Sequence, residues 1–295
     1  MRTGVAIAFA VLGLAMMATA AGGSTRRPWI VFSASPQHGT QPAQLFRVRS
    51  DGSGLKQITT GRNVATDPSI SPSGKKIAFA RLGSGLFTVT ISGAELHRIS
   101  GRIGDAFPVW SPSGSQIAFL RAYRGELHLY VMNANGSGQH LLPRAPAPAG
   151  RPSWTPDAKI VIPANGTVYK VDSATGRVLG RLNLQLEAQN SVAVPTLAPS
   201  GRVVAFVGPR PSPPDCQGSA CEVFALYVKQ LSAKQRKVFD AGPAGWSSDS
   251  RTLAFAHDGV LVLQTLKGAT TRTISTGTNA IGGDAPPAWQ PLPRR

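Results

Sequence analysis

Pro108-Val109-Trp110-Ser111-Pro112-Ser113-Gly114 recurs through this chain in six versions. The others begin Pro68-Ser69-Ile70-Ser71-Pro72-Ser73-Gly74, Pro152-Ser153-Trp154-Thr155-Pro156-Asp157, Pro195-Thr196-Leu197-Ala198-Pro199-Ser200-Gly201, Ala244-Gly245-Trp246-Ser247-Ser248-Asp249 and Pro287-Ala288-Trp289-Gln290-Pro291. Successive copies start about 40 to 50 residues apart, which is the repeat length of a four-stranded propeller blade. Each position has a physical task. The third is bulky, a wedge suited to a short innermost strand. In Ser-Pro-Ser-Gly, proline fixes φ at an early corner and glycine accepts the left-handed conformation that follows, so a hairpin is expected.

The residues after the turn are apolar without alternation: Ile77-Ala78-Phe79-Ala80, Ile117-Ala118-Phe119-Leu120, Val204-Ala205-Phe206-Val207 and Leu253-Ala254-Phe255-Ala256. A strand wetted on one face would alternate, whereas a continuous apolar run is covered on both. Neighbouring blades would provide that cover. Third strands follow at Leu86-Phe87-Thr88-Val89 and Leu127-His128-Leu129-Tyr130-Val131, and a polar turn such as Asn135-Gly136-Ser137-Gly138 precedes a fourth at Gln139-His140-Leu141-Leu142. With 32 Gly and 24 Pro among 295 residues, the composition favours such short strands over long helices.

Trp29-Ile30-Val31-Phe32 reads as the second strand of a blade, and the copy at Pro287 supplies a first strand and stops. Pairing the two completes a blade from both ends and removes two exposed sheet edges. The expected fold is therefore all-β: a six-bladed β-propeller of four-stranded antiparallel blades over residues 29–295, closed by its N- and C-terminal strands.

These motifs resemble the repeats of TolB-type β-propellers. The Pro-x-Trp-Ser-Pro-Ser/Asp-Gly turn, the Ile-Ala-Phe strand and Asp51-Gly52-Ser53-Gly54 ahead of Leu55-Lys56-Gln57-Ile58-Thr59 carry the resemblance, which covers nearly all of residues 29–295. It implies an envelope-associated binding propeller. The family's periplasmic namesake carries an additional N-terminal α/β domain, which is not expected here between the leader and Trp29. Similar propellers also precede hydrolase domains, so the resemblance specifies fold more closely than function.

Residues 1–22 read as a secretory signal, with Arg2 as its positive start, Val5 to Met17 as its apolar run and Ala18-Thr19-Ala20 as a cleavage pattern. Cleavage is expected after Ala20 or Ala21. The competing reading is an uncleaved anchor, because the apolar stretch nearly reaches the roughly 20 residues that span a bilayer. Residues 23–28 read as a short linker. An exported protein is expected, periplasmic, envelope-associated or secreted, and most simply a monomer.

The chain has 31 Lys and Arg against 14 Asp and Glu, a formal charge of +17. In an exported protein the counterparts would be anionic lipid headgroups or wall polymers rather than nucleic acid. The alternative is cations scattered over a solvated surface, since no block of five or six like charges occurs.

No Gly-x-Ser-x-Gly elbow is present, and the five histidines, His38, His97, His128, His140 and His257, show no His-Glu-x-x-His spacing. No catalytic residue, metal or cofactor is assigned. The chain is expected to be a non-enzyme. A propeller lyase or glycan-acting hydrolase with its site at the central channel is the alternative. Asp67, Asp105 and Asp284 stand just before repeat starts and would either point into the channel or cap a turn. Cys216 and Cys221 are the only cysteines, and in an exported chain the pair reads as a local structural disulfide.

The Ser-Pro-Ser-Gly and Asp-Gly turns are short and fall on one rim of the ring. The remaining loops fall on the other rim and vary: Ser33 to Gln44, Pro143 to Arg151, Gln185 to Val194, Gly208 to Ala220 and Gly277 to Pro286. Variable loops on a rigid scaffold are where binding concentrates. The candidate contacts for a protein partner or an anionic polymer are Arg121, Tyr123, Arg124, Arg144, Arg151 and Arg210, residue types favoured at interface hot spots.

Overall fold

A computed structural model of the chain describes residues 27–36, 41–164, 167–182, 193–209, 224–230, 235–239, 243–266, 271–277, 280–281 and 285–291. The strands among them form six antiparallel sheets, each one blade. Blade II illustrates the unit. Inner strand β4 (Ala65–Ile70) turns through Ser-Pro-Ser-Gly into β5 (Lys76–Arg81), then β6 (Gly85–Thr90), then outer strand β7 (His97–Arg98). Blade III repeats this with β8 (Asp105–Trp110), β9 (Gln116–Tyr123), β10 (Glu126–Asn133) and β11 (His140–Leu141). Blade IV runs from β12 (Ser153–Trp154) to β15 (Val178–Leu182), blade V from β16 (Ala193–Leu197) to β19 (Gln235–Phe239), and blade VI from β20 (Ala244–Trp246) to β23 (Thr271–Ile274).

Blade I closes the ring from both ends of the chain. Its second strand, β1 (Trp29–Ser35), pairs with β2 (Gln44–Arg49) on one side, and β2 pairs with β3 (Lys56–Gln57). On its inner side β1 meets two short C-terminal pieces, β24 (Ala280–Ile281) opposite Ala34 and Ser35 and β25 (Ala288–Trp289) opposite Ile30 and Val31. The expected first strand at Pro287 is thus present. Ala280 and Ile281, which the sequence places in a loop, extend it. The Gln290 backbone N–H donates to the Trp29 carbonyl at 2.8 Å, and its side-chain carbonyl accepts from the Trp29 N–H at 3.1 Å.

Inner strands β4, β8 and β16 each shift register midway against their partners. In the first two the shift coincides with a left-handed residue, Asp67 and Phe107, both at φ 54°. Such a bulge re-aims a side chain and tightens the local twist. It makes the residue before each repeat's Pro a special position.

The core lies between blades. Phe32, Phe79, Phe119, Phe206 and Phe255 occupy the same place on five second strands and are fully buried. Phe79 and Phe119 each sit in a cluster drawing on two successive blades. An aromatic on the third strand lies beside four of them, as in Phe119 with Tyr130 at 5.5 Å and Phe206 with Tyr227 at 5.5 Å. This is why the second strands carry no polar alternation: both their faces are covered.

The Trp wedges tie neighbouring blades together. Trp154 Nε1 donates to the Val109 carbonyl, Trp246 Nε1 to Thr196 and Trp289 Nε1 to Gly245, at 3.0, 2.8 and 3.1 Å. Each acceptor is the second position of the preceding repeat. Trp110 departs from the pattern: its buried Nε1 lacks a hydrogen-bond partner, and the blades are joined there by the Ser69 hydroxyl accepting from the Trp110 backbone N–H.

Candidate functional site

The two rims differ in construction. On one, Ser-Pro-Ser-Gly turns repeat nearly unchanged, with Ser71 and Ser111 hydroxyls accepting from the backbone N–H groups of Lys76 and Gln116, both at 3.1 Å. Gly114, at φ 73°, faces the Pro72 ring of the preceding turn. The opposite rim carries the loops from second to third strands and from one blade to the next, whose lengths vary.

Around the inner strands, three copies of the position before the repeat's Pro come into relation: Asp67, Phe107 and Arg151. Arg151 belongs to blade IV, yet its Nη2 donates at 2.8 Å to the carbonyl of Pro68 in blade II. It therefore reaches past the inner strand of blade III. Asp67 and Arg151 are only 4% and 7% exposed. Burial is the main cause that pushes the Asp67 carboxyl up to about 6, against the attraction of Arg151 and a hydrogen bond from the Phe107 backbone. Burial likewise lowers Arg151, with Asp67 opposing it. Arg151 Nη1 is buried without a hydrogen-bond partner. Asp67 and Arg151 are thus desolvated opposite charges, incompletely satisfied.

Arg121 is also closed in, which sequence position alone did not indicate. Asp105 and Arg121 are register partners on β8 and β9. Arg121 Nε and Nη2 donate to the two Asp105 carboxylate oxygens at 2.6 and 2.9 Å, and Nη2 also donates to Gln139. The Ser100 hydroxyl donates to the same carboxylate. The guanidinium lies 4.5 Å from the Tyr130 ring centre. Hydrogen bonding to Asp105 is the main reason that Arg121 titrates above its ordinary value. Asp105 is therefore neither a channel ligand nor a turn cap.

Of the six candidate contacts, Tyr123, Arg124 and Arg144 are exposed on the variable rim. Tyr123 is 59% exposed, and Arg124, at φ 52°, places its guanidinium 5.2 Å from that ring. Arg121 and Arg151 are buried instead. Arg210, Asp284, His38 and the Cys216–Cys221 pair lie outside the described residues. The four described histidines stand away from the inner strands: His97 on β7, His140 on β11, His128 on β10 and His257 at the end of the second strand of blade VI.

One hollow went unforeseen. A cavity of about 320 Å³ opens on the short-turn rim at the seam of blades I and VI, lined by Ser247, Asp249, Thr265, Arg272 and Trp289 among others. It arises where β1 and β25 close blade I against blade VI. Arg272 Nη2 donates to the Asp51 carbonyl across it.

Comparison with known proteins places this architecture. The family model of the TolB beta propeller domain matches residues 24–292. The Tol-Pal system protein TolB of Anaeromyxobacter dehalogenans (strain 2CP-C) is 31% identical over 136 residues, covering 44% of this chain and 31% of that protein. A protein TolB homolog of Chlorobium luteolum is 36% identical over 142 residues, 45% of this chain and 32% of that one. The chain thus spans about a third of the length of these curated relatives. The crystal structure of TolB from Acinetobacter baumannii superposes with a TM-score of 0.69 at 18% identity, covering 92% of this chain and 68% of that one. An oligogalacturonate lyase in complex with manganese reaches 0.51 at 12% identity over 78% of this chain and 70% of that one, a likeness of fold alone.

Proposed function

Because the chain belongs to the TolB beta propeller domain family, we propose that it is an exported, non-catalytic binding scaffold of the cell envelope, engaging a protein partner through its variable rim. The observation that carries this reading is the contrast between the rims. One repeats a single turn from blade to blade, while the other varies in loop length and displays Tyr123, Arg124 and Arg144. Exposed aromatic and Arg side chains on a rigid frame are the groups that anchor interfaces. The names of the relatives, which place them in a Tol-Pal system or call them TolB homologs, support a partner within an envelope assembly.

The test is affinity capture from envelope extract with the chain from Ser24 onward, at low and at moderate salt, beside a Tyr123→Ala/Arg124→Glu/Arg144→Glu variant. Screening removes diffuse charge attraction and leaves a shaped interface. A discrete protein retained by the native domain at moderate salt, and reduced about tenfold or more by the variant, is the expected result. Retention only of anionic polymer at low salt, or equal capture by the variant, would refute the proposal.

A further inference from the structure

Four loops of the variable rim are packed into one sector over blades II and III. Arg81 Nη2 donates to the Thr60 carbonyl at 2.9 Å, and Asn63 Nδ2 donates to the Leu82 carbonyl at 2.8 Å, so the loop entering blade II rests on the turn at 82–84. Arg98 Nη2 bridges that turn to the next loop by donating to the carbonyls of Ser84 at 2.8 Å and Gly101 at 3.0 Å. The Ala122 N–H donates to the Gly104 carbonyl at 2.8 Å, which joins the loop to the tip of blade III. Cross-bracing of this kind fixes what the loop tips display.

They display exposed apolar side chains on loops that also carry exposed arginines. Leu82 is 53% exposed, Ile103 74% and Tyr123 59%, one on each of three adjacent loops. Arg62, Arg102 and Arg124 are exposed among them. The neighbouring carboxylates are Asp105, enclosed by Arg121, and Glu126, which stands at the start of β10. Leucine and isoleucine this exposed on fixed loops gain nothing for the fold. They stand on separate loop tips and are open to solvent.

The geometry points to docking of this sector on an anionic lipid surface, with Leu82, Ile103 and Tyr123 entering the headgroup boundary and Arg62, Arg102 and Arg124 facing lipid phosphates. A fluid bilayer accepts exposed apolar groups on separate loop tips without a matching surface, which a protein would have to supply. Tyr is favoured at the membrane–water boundary, and long cationic side chains keep their charge in the headgroup layer while their stems lie in apolar surroundings. Each basic side chain brought to an anionic surface strengthens binding about fivefold, so three arginines and three apolar tips together give a measurable peripheral affinity. This goes beyond the protein-binding reading; Tyr123 and Arg124 are shared with it, so the probes are Leu82, Ile103, Arg62 and Arg102, which that reading does not use.

The experiment is vesicle flotation of the chain from Ser24 onward, which contains every strand of the closed ring, with pure phosphatidylcholine and with phosphatidylcholine–phosphatidylglycerol vesicles. Leu82→Ser/Ile103→Ser and Arg62→Glu/Arg102→Glu are compared with the native chain, and unchanged thermal midpoints establish that both variants are folded. Ile103→Trp reports entry by a blue shift of its fluorescence over the native background. Binding to the anionic vesicles alone, a loss of about tenfold or more in either double variant and a blue shift at position 103 are the expected results. The proposal is overturned if the native chain does not float with anionic vesicles, or if the apolar variant floats as well as native and position 103 shows no shift. Vesicle binding that fails while partner capture persists removes this proposal and leaves the protein-binding reading standing.

Discussion

Asp67 and Arg151 keep each other charged in a place that disfavours charge on either. An acid whose folded value lies near 6 and whose unfolded value is 3.8 loses its share of stability as pH rises from about 4 through 6, because the unfolded chain releases the proton first. Urea unfolding should therefore show the native protein losing ground to Asp67→Asn over that window, by on the order of 2 to 3 kcal/mol. At pH 7 the single variant leaves Arg151 buried without its counter-charge, so Asp67→Asn/Arg151→Met should cost less than the sum of the two single changes by about 1 to 3 kcal/mol. Trp246 and Trp110 give a second contrast. Both are buried wedges, but only Trp246 has its Nε1 bonded, to Thr196. Phenylalanine at 246 should lower stability by about 1 kcal/mol more than phenylalanine at 110. The burial of Arg121 and Arg151 was hard to foresee because arginine is ordinarily exposed. Register decides the first, since only the pairing of β8 with β9 sets Arg121 opposite Asp105. For Arg151 a signal was present: aligned copies put it at the same position as Asp67, immediately before the repeat's Pro.

Among the elements, second strands and first hairpins were the most legible, since an unbroken apolar run and a Pro–Gly corner each admit few conformations. Fourth strands were harder. They are as short as the two residues of β7 and β11, exposed on both residues, and carry no apolar pattern to read. The split of the closing strand was invisible for another reason: Ala280–Ile281 gains its place only from pairing with β1, a contact across almost the whole chain. Close approach of inner strands also needs the folded ring to be seen. A Cβ on Gly245 would overlap the carbonyl oxygen of Pro287 in the adjoining blade, so neither backbone could stay where it is. Gly245→Ala should cost about 3 kcal/mol, read as a fall in the urea midpoint with the slope unchanged.

Each hydrophobic cluster among the described residues spans two blades, so the ring should unfold as one cooperative body. The cluster containing Ile30 and Phe32 draws in Ala254 and Leu261 of blade VI and leans on Trp289. A chain stopped after Pro286 loses β25 and exposes that cluster. Its stability should drop by about 2 to 3 kcal/mol, through loss of the partly buried Trp289 and exposure of the cluster it covers, and thermal scans should broaden as the blades melt less in unison. The seating of β1 between β2 and the C-terminal pieces has a mechanical consequence. Tension on the chain ahead of Trp29 runs along the strand, and the hydrogen bonds on both of its flanks must slide together before any one can part. A propeller held by this end resists extraction as a rope gripped along its length does, in shear, while one tugged by an outer strand peels a bond at a time.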